Sequence, residues 1–547
     1  MTNDDTSGDK GFVGAVANFY AALARQPMDM MKLGLNSSNQ MLGILSSLGK
    51  QDVAEIADKR FNDPVWDSNP AYRVLKQSYM AWCSNVITWI DGLDLEHRDT
   101  ERMKLLTGTI LDSFSPTNLL IGNPAAMKKT LESGGENILS GLRNLVDDMV
   151  NNEGMPSMVD RSKFNVGENL GISKGEVIHR DELRELIQYA PQTDKVKGTP
   201  ILVVPPQINK FYVWDLAPER SLVEFLVQQG YSVYIVSWRN PGSNDADYGL
   251  EDYVKSLDHA SEIVTKVSKS PKIHVAGACS GGITMSMLLG YWAAKGIDRA
   301  ATATFLVTIL DTDGAANTSM GLFANLEVLS LAKQMSRARG VVQGKDLAKV
   351  FAWLRPNDLV WAYWINNYLL GQNPPAFDIL YWNDDTTNMT AKLHADYMGL
   401  LETNGLVSGT AEILGEQIDL SKVSCDNYVL GGTTDHITPW DGCYRTVNML
   451  GGKSEFILSS SGHIQAIVNP PTNRKAKFRR MDDVPSDPEV FVKNSTEMEG
   501  TWWLHWSEWM AERSAKEKAA PKTLGNKDFP GLCPAPGTYV LQEAGKP

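Results

Sequence analysis

The chain has 547 residues, 43% of them apolar and 21% charged, which is more than one average domain and enough apolar material to bury a large core. Its net charge of −13 argues against nucleic acid as the main partner, because phosphate binding draws on clustered Lys and Arg; an anionic substrate then needs a local basic patch. The five cysteines, Cys83, Cys279, Cys425, Cys443 and Cys533, are odd in number and irregularly spaced, so free thiols are expected rather than a disulfide framework or a CxxC zinc pattern.

In chain order, the start "MTNDDTSGDKG" lacks a basic n-region and an apolar h-region, and no apolar run reaches the length of a membrane span, so a cytoplasmic protein without a transmembrane segment is expected. Apolar residues recur at helical spacing in "FVGAVANFYAALARQPMDMMKLG" and "AYRVLKQSYMAWCSNVITWIDGL". Residues 1–163 therefore read as a helical N-terminal domain, closed by segments punctuated with Asn-Pro, Gly-Gly and Gly-Met-Pro. From about residue 199 short β-branched runs ("PILVVPP", "YSVYIVSW", "KIHVAGA", "TATFLVTIL", "DNYVLGG", "SEFILSS") alternate with helical stretches, the pattern of a parallel sheet with helices on both faces. The alternation breaks between about 312 and 420, where Met, Trp and Tyr are dense, as an inserted cap over a sheet end would look. Residues 164–547 thus read as an α/β catalytic domain carrying that insertion.

The stretch "HVAGACSGGIT" has a strand running into Gly-x-Cys-x-Gly and then into a helix. Such a turn forces strained backbone angles on the central residue and exposes it as a nucleophile, here Cys279, although most free cysteines are simply small buried hydrophobes. A nucleophile needs a base and an acid, which follow in the order Asp, His on loops after later strands. "TTDHITPW" after "DNYVLGG" offers Asp435, and "SGHIQAIVNPP" after "SEFILSS" offers His463. Of the eight histidines, His97, His179 and His259 carry no partner signal, His274 lies on the strand before the nucleophile, and His436 adjoins Asp435 and competes less well than His463. The oxyanion hole takes one backbone N–H from Ser280 and a second from the loop "LVVPPQINKFY", from Gln207 or Ile208, with Ile208 the leading candidate. Trp502, Trp503, Trp506 and Trp509 have the spacing of a packed helix face.

The segments "VVPPQINKFYVWDL", "VSWRNP", "GACSGG", "YWNDDTTN", "TTDHITPW" and "SGHIQAIVNPP" resemble the poly(hydroxyalkanoate) synthases, from about residue 60 to the C-terminus. The resemblance implies an α/β-hydrolase domain with a cap, preceded by a helical domain, and a Cys-His-Asp triad of Cys279, His463 and Asp435. It implies polymerisation of (R)-3-hydroxyacyl-CoA thioesters into polyester with release of CoA, which is part of the substrate; no separate cofactor and no metal are expected. The growing polyester, granule-associated proteins and a second copy of the chain are the expected partners, at the surface of polyester granules in the cytoplasm. Gln465 is similar to the type preferring medium-length side chains and Thr308 to the short-chain type, so both are candidate substrate contacts. One departure is the absence of the family's proline after "WNDDTTN", which leaves the course around Met389 open.

A thiol suits this chemistry because its attack on an acyl-CoA exchanges one thioester for another and keeps the acyl group activated, and because an adjacent imidazole can hold it as thiolate. Asp435 either orients His463 or activates the 3-hydroxyl of the incoming monomer; the lower dependence of a thiolate–imidazolium pair on an orienting acid favours the second role. Lys210 and Arg239 are candidates for the CoA phosphates, or equally surface or structural cations. A cysteine-dependent hydrolase or thioesterase, and a granule-surface protein with a vestigial triad, remain the alternatives.

Overall fold

The computed structural model describes residues 11–46, 58–315, 318, 321–322 and 326–543; the polar start discussed above lies outside them. The chain forms two compact units, one of residues 1–161, 322–328 and 349–377, the other of 162–321, 329–348 and 378–547. No described helix is long and apolar enough to cross a membrane.

In the first unit the helical spacing of the sequence becomes helices Gly11–Arg25, Pro27–Ser46, Pro70–Asp91, His97–Ser113, Pro124–Glu132 and Glu136–Asn151. Pro70 opens its helix where no N–H partner is needed, and the Asn69 side chain accepts from the Ala71 and Tyr72 amides. Residues 349–377 belong to this unit rather than to one continuous insertion on the sheet. The physical reason is polar: the Asn137 side chain donates to the Leu369 carbonyl at 2.8 Å, and the Tyr368 hydroxyl donates to Asp148 at 2.7 Å. Those groups sit buried or nearly so, where an unmatched donor or acceptor would cost about 1–3 kcal/mol.

The second unit is built on strands β1 (Gly175–Arg180), β2 (Arg184–Tyr189), β3 (Ile201–Val204), β4 (Val233–Trp238), β5 (Ile273–Ala278), β6 (Ala300–Leu306), β7 (Asp426–Gly432), β8 (Ser454–Ser459), β9 (Lys477–Arg480), β10 (Thr496–Glu499) and β11 (Cys533–Pro534). Their order across the sheet is β10-β9-β8-β7-β6-β5-β3-β4-β2-β1-β11. The central run from β8 to β4 is parallel, and antiparallel strands finish both edges. Alternate side chains feed two cores: Leu202 and Val204 enter the one with the helices Leu250–Ser268 and Ser280–Lys295, while Ile201 and Val203 enter the one with Trp502, Trp503 and Trp506. A parallel sheet whose order reverses between β3 and β5, with β4 outside, is the α/β-hydrolase arrangement, and ligands of such sheets bind beyond the carboxyl ends of the strands. Around Met389 the chain takes a short strand, Met389–Thr390, paired with Val341–Val342, and Thr390 caps the helix Ala391–Thr403.

Candidate active site

Three strand ends converge. Cys279 follows β5 directly and precedes the helix Ser280–Lys295 at φ 48° and ψ −125°, a conformation that L-residues with a Cβ rarely adopt and that marks a strained nucleophile turn. The turn is tight enough to need glycine on either side of Cys279. A Cβ on Gly281 would lie 2.3 Å from the Val204 carbonyl oxygen, and one on Gly277 would lie 2.9 Å from the Gly282 Cα. Asp435 sits on the loop after β7, and His463 begins the short helix His463–Ile467 after β8.

Asp435 and His463 are buried, at 7% and 8% exposure, while Cys279 is half-buried. His463 Nδ1 stands 2.7 Å from Asp435 Oδ2, which leaves Nε2 as the ring nitrogen for the thiol. Burial pulls the imidazole down, but the hydrogen bond and charge of Asp435, joined by the Cys279 thiol, outweigh it and push His463 up to about 10. The carboxylate answers in the opposite sense: burial raises Asp435, yet His463 and the Thr438 donors bring it below its ordinary value. Every acceptor direction of Asp435 is engaged. Its Oδ1 takes the Ile437 and Thr438 amides, both at 2.9 Å, and its Oδ2 takes the Thr438 hydroxyl at 2.8 Å besides the imidazole.

The four cysteines outside the turn have raised thiols. Burial raises Cys83 and Cys533, pushes Cys425 up to about 12 and holds Cys443 well above the ordinary thiol range, so each stays protonated at neutral pH.

Ser280 is the first residue of its helix, so its N–H has no partner within the helix and is available to an oxyanion. Ile208 is half-buried in the loop after β3, where its carbonyl accepts the Thr387 amide at 3.2 Å. Gln207 is buried, with its amide bonded to Thr284 and Tyr397.

The proposed substrate contacts are placed differently. Thr308 is fully buried beneath the turn, donating to the Leu306 carbonyl at 2.9 Å and lying 3.4 Å from the Cys279 carbonyl, so it braces the nucleophile from behind. Lys210 is 4% exposed and its ammonium donates to the Val540 and Gln542 carbonyls, each at 2.5 Å, with Asp385 at 3.8 Å; it ties the C-terminal segment down rather than facing a phosphate. The Arg239 guanidinium is paired with Asp245. Gln465 is exposed on the short helix that His463 begins.

Some contributors escape sequence reasoning. Thr438, three residues after Asp435, acts on both members of the pair, its hydroxyl also lying 3.0 Å from His463 Nδ1; its signal is an Asp followed by a hydroxyl residue at i+3 in "DHIT". The Trp502 and Trp503 indoles donate to the Ala466 and Ile467 carbonyls at 2.7 and 3.0 Å, anchoring the end of the His463 helix. His274 is spoken for by Thr302 and Ser514.

Away from the triad, His179, Asp181 and His259 bring metal-type donor atoms within 4.8 Å of one another. The buried Arg184 guanidinium occupies the same space, 3.4 Å from His179 Nδ1 and 3.5 Å from Asp181 Oδ2, so these donors face a cation already in place.

A family model described as "Poly-beta-hydroxybutyrate polymerase (PhaC) N-terminus" matches residues 57–226, and one for the alpha/beta hydrolase fold matches residues 200–470. The "Poly(3-hydroxyalkanoate) polymerase 1" of Ectopseudomonas oleovorans is 46% identical over 97% of this chain and 94% of its own length. "Poly(3-hydroxyalkanoate) polymerase 2" of the same organism is 43% identical over 93% and 91%, and the "Poly(3-hydroxyalkanoate) polymerase subunit PhaC" of Cupriavidus necator is 36% identical over 89% and 83%. Among solved structures, a monoacylglycerol lipase of Paleococcus ferrophilus aligns with 15% identity and a TM-score of 0.36 over 61% of this chain and all of its own. With near-full-length identity of this order, the chain belongs to the poly(3-hydroxyalkanoate) polymerase family and is an enzyme of polyester synthesis, an acyltransferase on an α/β-hydrolase sheet.

Proposed function

We propose that the chain polymerises (R)-3-hydroxyacyl-CoA thioesters into poly(3-hydroxyalkanoate) through an acyl-Cys279 intermediate with release of CoA. The observation that carries this is the thiol on a strained turn, with an imidazole beside it that Asp435 raises to about 10. His463 takes the thiol proton, and the Cys279 thiolate attacks the thioester carbonyl. The carbonyl oxygen gains charge toward the Ser280 N–H, the bond to the CoA sulfur breaks, and the departing thiolate takes the proton back from His463. The hydroxyl of the next hydroxyacyl group then gives its proton to His463 and attacks the acyl-Cys279 carbonyl, forming the ester and freeing the thiol.

Within this reading Asp435 orients His463. What supports this over the other expected role, activation of the acceptor hydroxyl, is that the carboxylate already accepts from Ile437, Thr438 and His463. Growing polyester, granule proteins and a second copy of the chain stand as the partners of this proposal, at the granule surface. Water is the competing acceptor, and the analysis of product as polymer or free acid separates transfer from hydrolysis.

The test is free CoA release from 3-hydroxyacyl-CoA with the product analysed as polymer or free acid. Polymer with stoichiometric CoA is expected, and Cys279→Ala lowers release at least about 1000-fold while Cys83→Ala, Cys425→Ala and Cys533→Ala retain it. Free acid as the main product would make the enzyme a thioesterase, and normal release by Cys279→Ala would remove the nucleophile.

A further inference from the structure

On the reading proposed above, the oxyanion donors lie on two elements, the N-terminus of the nucleophile helix and the loop after β3, and three buried side chains join the two. Gln207, 2% exposed, donates from Nε2 to Thr284 Oγ1 at 2.8 Å and accepts at Oε1 from the Tyr397 hydroxyl at 3.0 Å. Thr284, fully buried one turn into the nucleophile helix, has its Oγ1 2.8 Å from the Tyr397 hydroxyl. The ring reaches the nucleophile turn, since the Ser280 carbonyl lies 3.1 Å from Thr284 Oγ1 and 3.2 Å from the Tyr397 hydroxyl.

One assignment of protons closes the ring with each hydroxyl proton used once: Gln207 N–H to Thr284, Thr284 O–H to Tyr397, and Tyr397 O–H to Gln207 Oε1. Burial, with Tyr253 and Cys279 adding to it, holds the Tyr397 hydroxyl above its ordinary value against the pull of Thr284, so it remains a donor. The main chain of the loop is also close to the turn, since a Cβ on Gly281 would lie 2.6 Å from the Pro205 carbonyl oxygen, which accepts the Trp238 indole at 2.8 Å. Because both ends of the Gln207 amide are used in the ring, any oxyanion contact from this loop comes from its main chain.

We propose that Tyr397, reaching in from the helix Ala391–Thr403, is a positioning residue for acylation, holding the oxyanion loop against the first turn of the nucleophile helix through Gln207 and Thr284. This rests on the reading of Cys279 as the acylated nucleophile. An oxyanion site works by being built before the charge arrives, so loosening one wall lowers the rate of the chemical step more than it lowers substrate binding.

The experiment is rapid-quench mass spectrometry of acyl-Cys279 formation from a 3-hydroxyacyl-CoA, with thermal unfolding run alongside. The enzymes compared are the wild type, Tyr397→Phe, Thr284→Val, Thr284→Ser and the Tyr397→Phe/Thr284→Val double variant. Tyr397→Phe and Thr284→Val are expected to slow acylation about tenfold with KM within about twofold. The double variant is expected to be no slower than the slower single, as befits one unit, and Thr284→Ser to acylate like the wild type because it keeps the hydroxyl. Acylation by Tyr397→Phe at the wild-type rate would overturn the proposal, as would rate losses that add in the double variant and follow the fall in Tm. A wild type that forms no acyl-Cys279 would instead overturn the nucleophile itself.

Discussion

At the residue scale the chemistry is concentrated in one imidazole. His463 is raised because Asp435 and Cys279 outweigh its burial, so replacing the acid leaves burial to act with less opposition. In Asp435→Asn, histidine NMR should show His463 titrating well below about 10, and rapid quench should show acylation and elongation falling together by about 100-fold. Wild-type acylation with accumulating acyl-Cys279 would return the acid to the acceptor hydroxyl. The same pair has a pH signature. With its folded value raised, the stability His463 contributes is full below 6.5 and is lost as pH rises through about 10. Asp435, lowered from 3.8, contributes above that value and loses its share as pH falls through its depressed folded value. The Tm gap between wild type and Asp435→Asn should therefore be widest between about pH 4 and 6.5 and close toward 10.

At the element scale, the short helix that carries His463 has only five residues, too few to be stable alone, and its carbonyl end is held by indoles from the helix Trp502–Glu512. Trp502→Phe and Trp503→Phe each remove one such donor from a buried carbonyl. Each should lower stability by about 1–3 kcal/mol, read from denaturant unfolding, and loosening His463 should slow acylation about tenfold. Unchanged acylation in both would separate this helix from the catalytic step. The spacing of the tryptophans announced a packed face, and that is what their burial shows. Which carbonyls their N–H groups would meet was not legible, because the partners lie more than thirty residues away in sequence.

At the scale of the whole molecule, the helix Glu136–Asn151 of the first unit leaves Leu139, Leu142, Val146, Met149 and Val150 exposed, spaced on one face. On the proposal that the chain works at the granule surface, that face is a candidate for the attachment. The Leu142→Ser/Val146→Ser double variant should reduce co-sedimentation with polyester granules about threefold or more, with CoA release from soluble substrate within about twofold of wild type. Undiminished co-sedimentation would place attachment elsewhere.

The sequence by itself determined the alternation that becomes the sheet, the three loops that carry Cys279, Asp435 and His463, and the glycines that the nucleophile turn requires. Each is encoded within a dozen residues, through β-branched runs, turn residues and the order of the motifs. Only the tertiary structure decided the rest. Thr308 and Lys210 look free in a linear reading and are committed inside, one under the turn and one to the C-terminal carbonyls. Residues 349–377 read as part of a cap and join the N-terminal helices, through donors on Asn137 and acceptors on Asp148. Tyr397 and Gln207 become one ring across 190 residues. The reason is the same in each case. A local pattern constrains backbone angles and which face is apolar, whereas the partner of a buried polar group is whichever group the packed chain brings within about 3 Å, and that is a property of the whole fold.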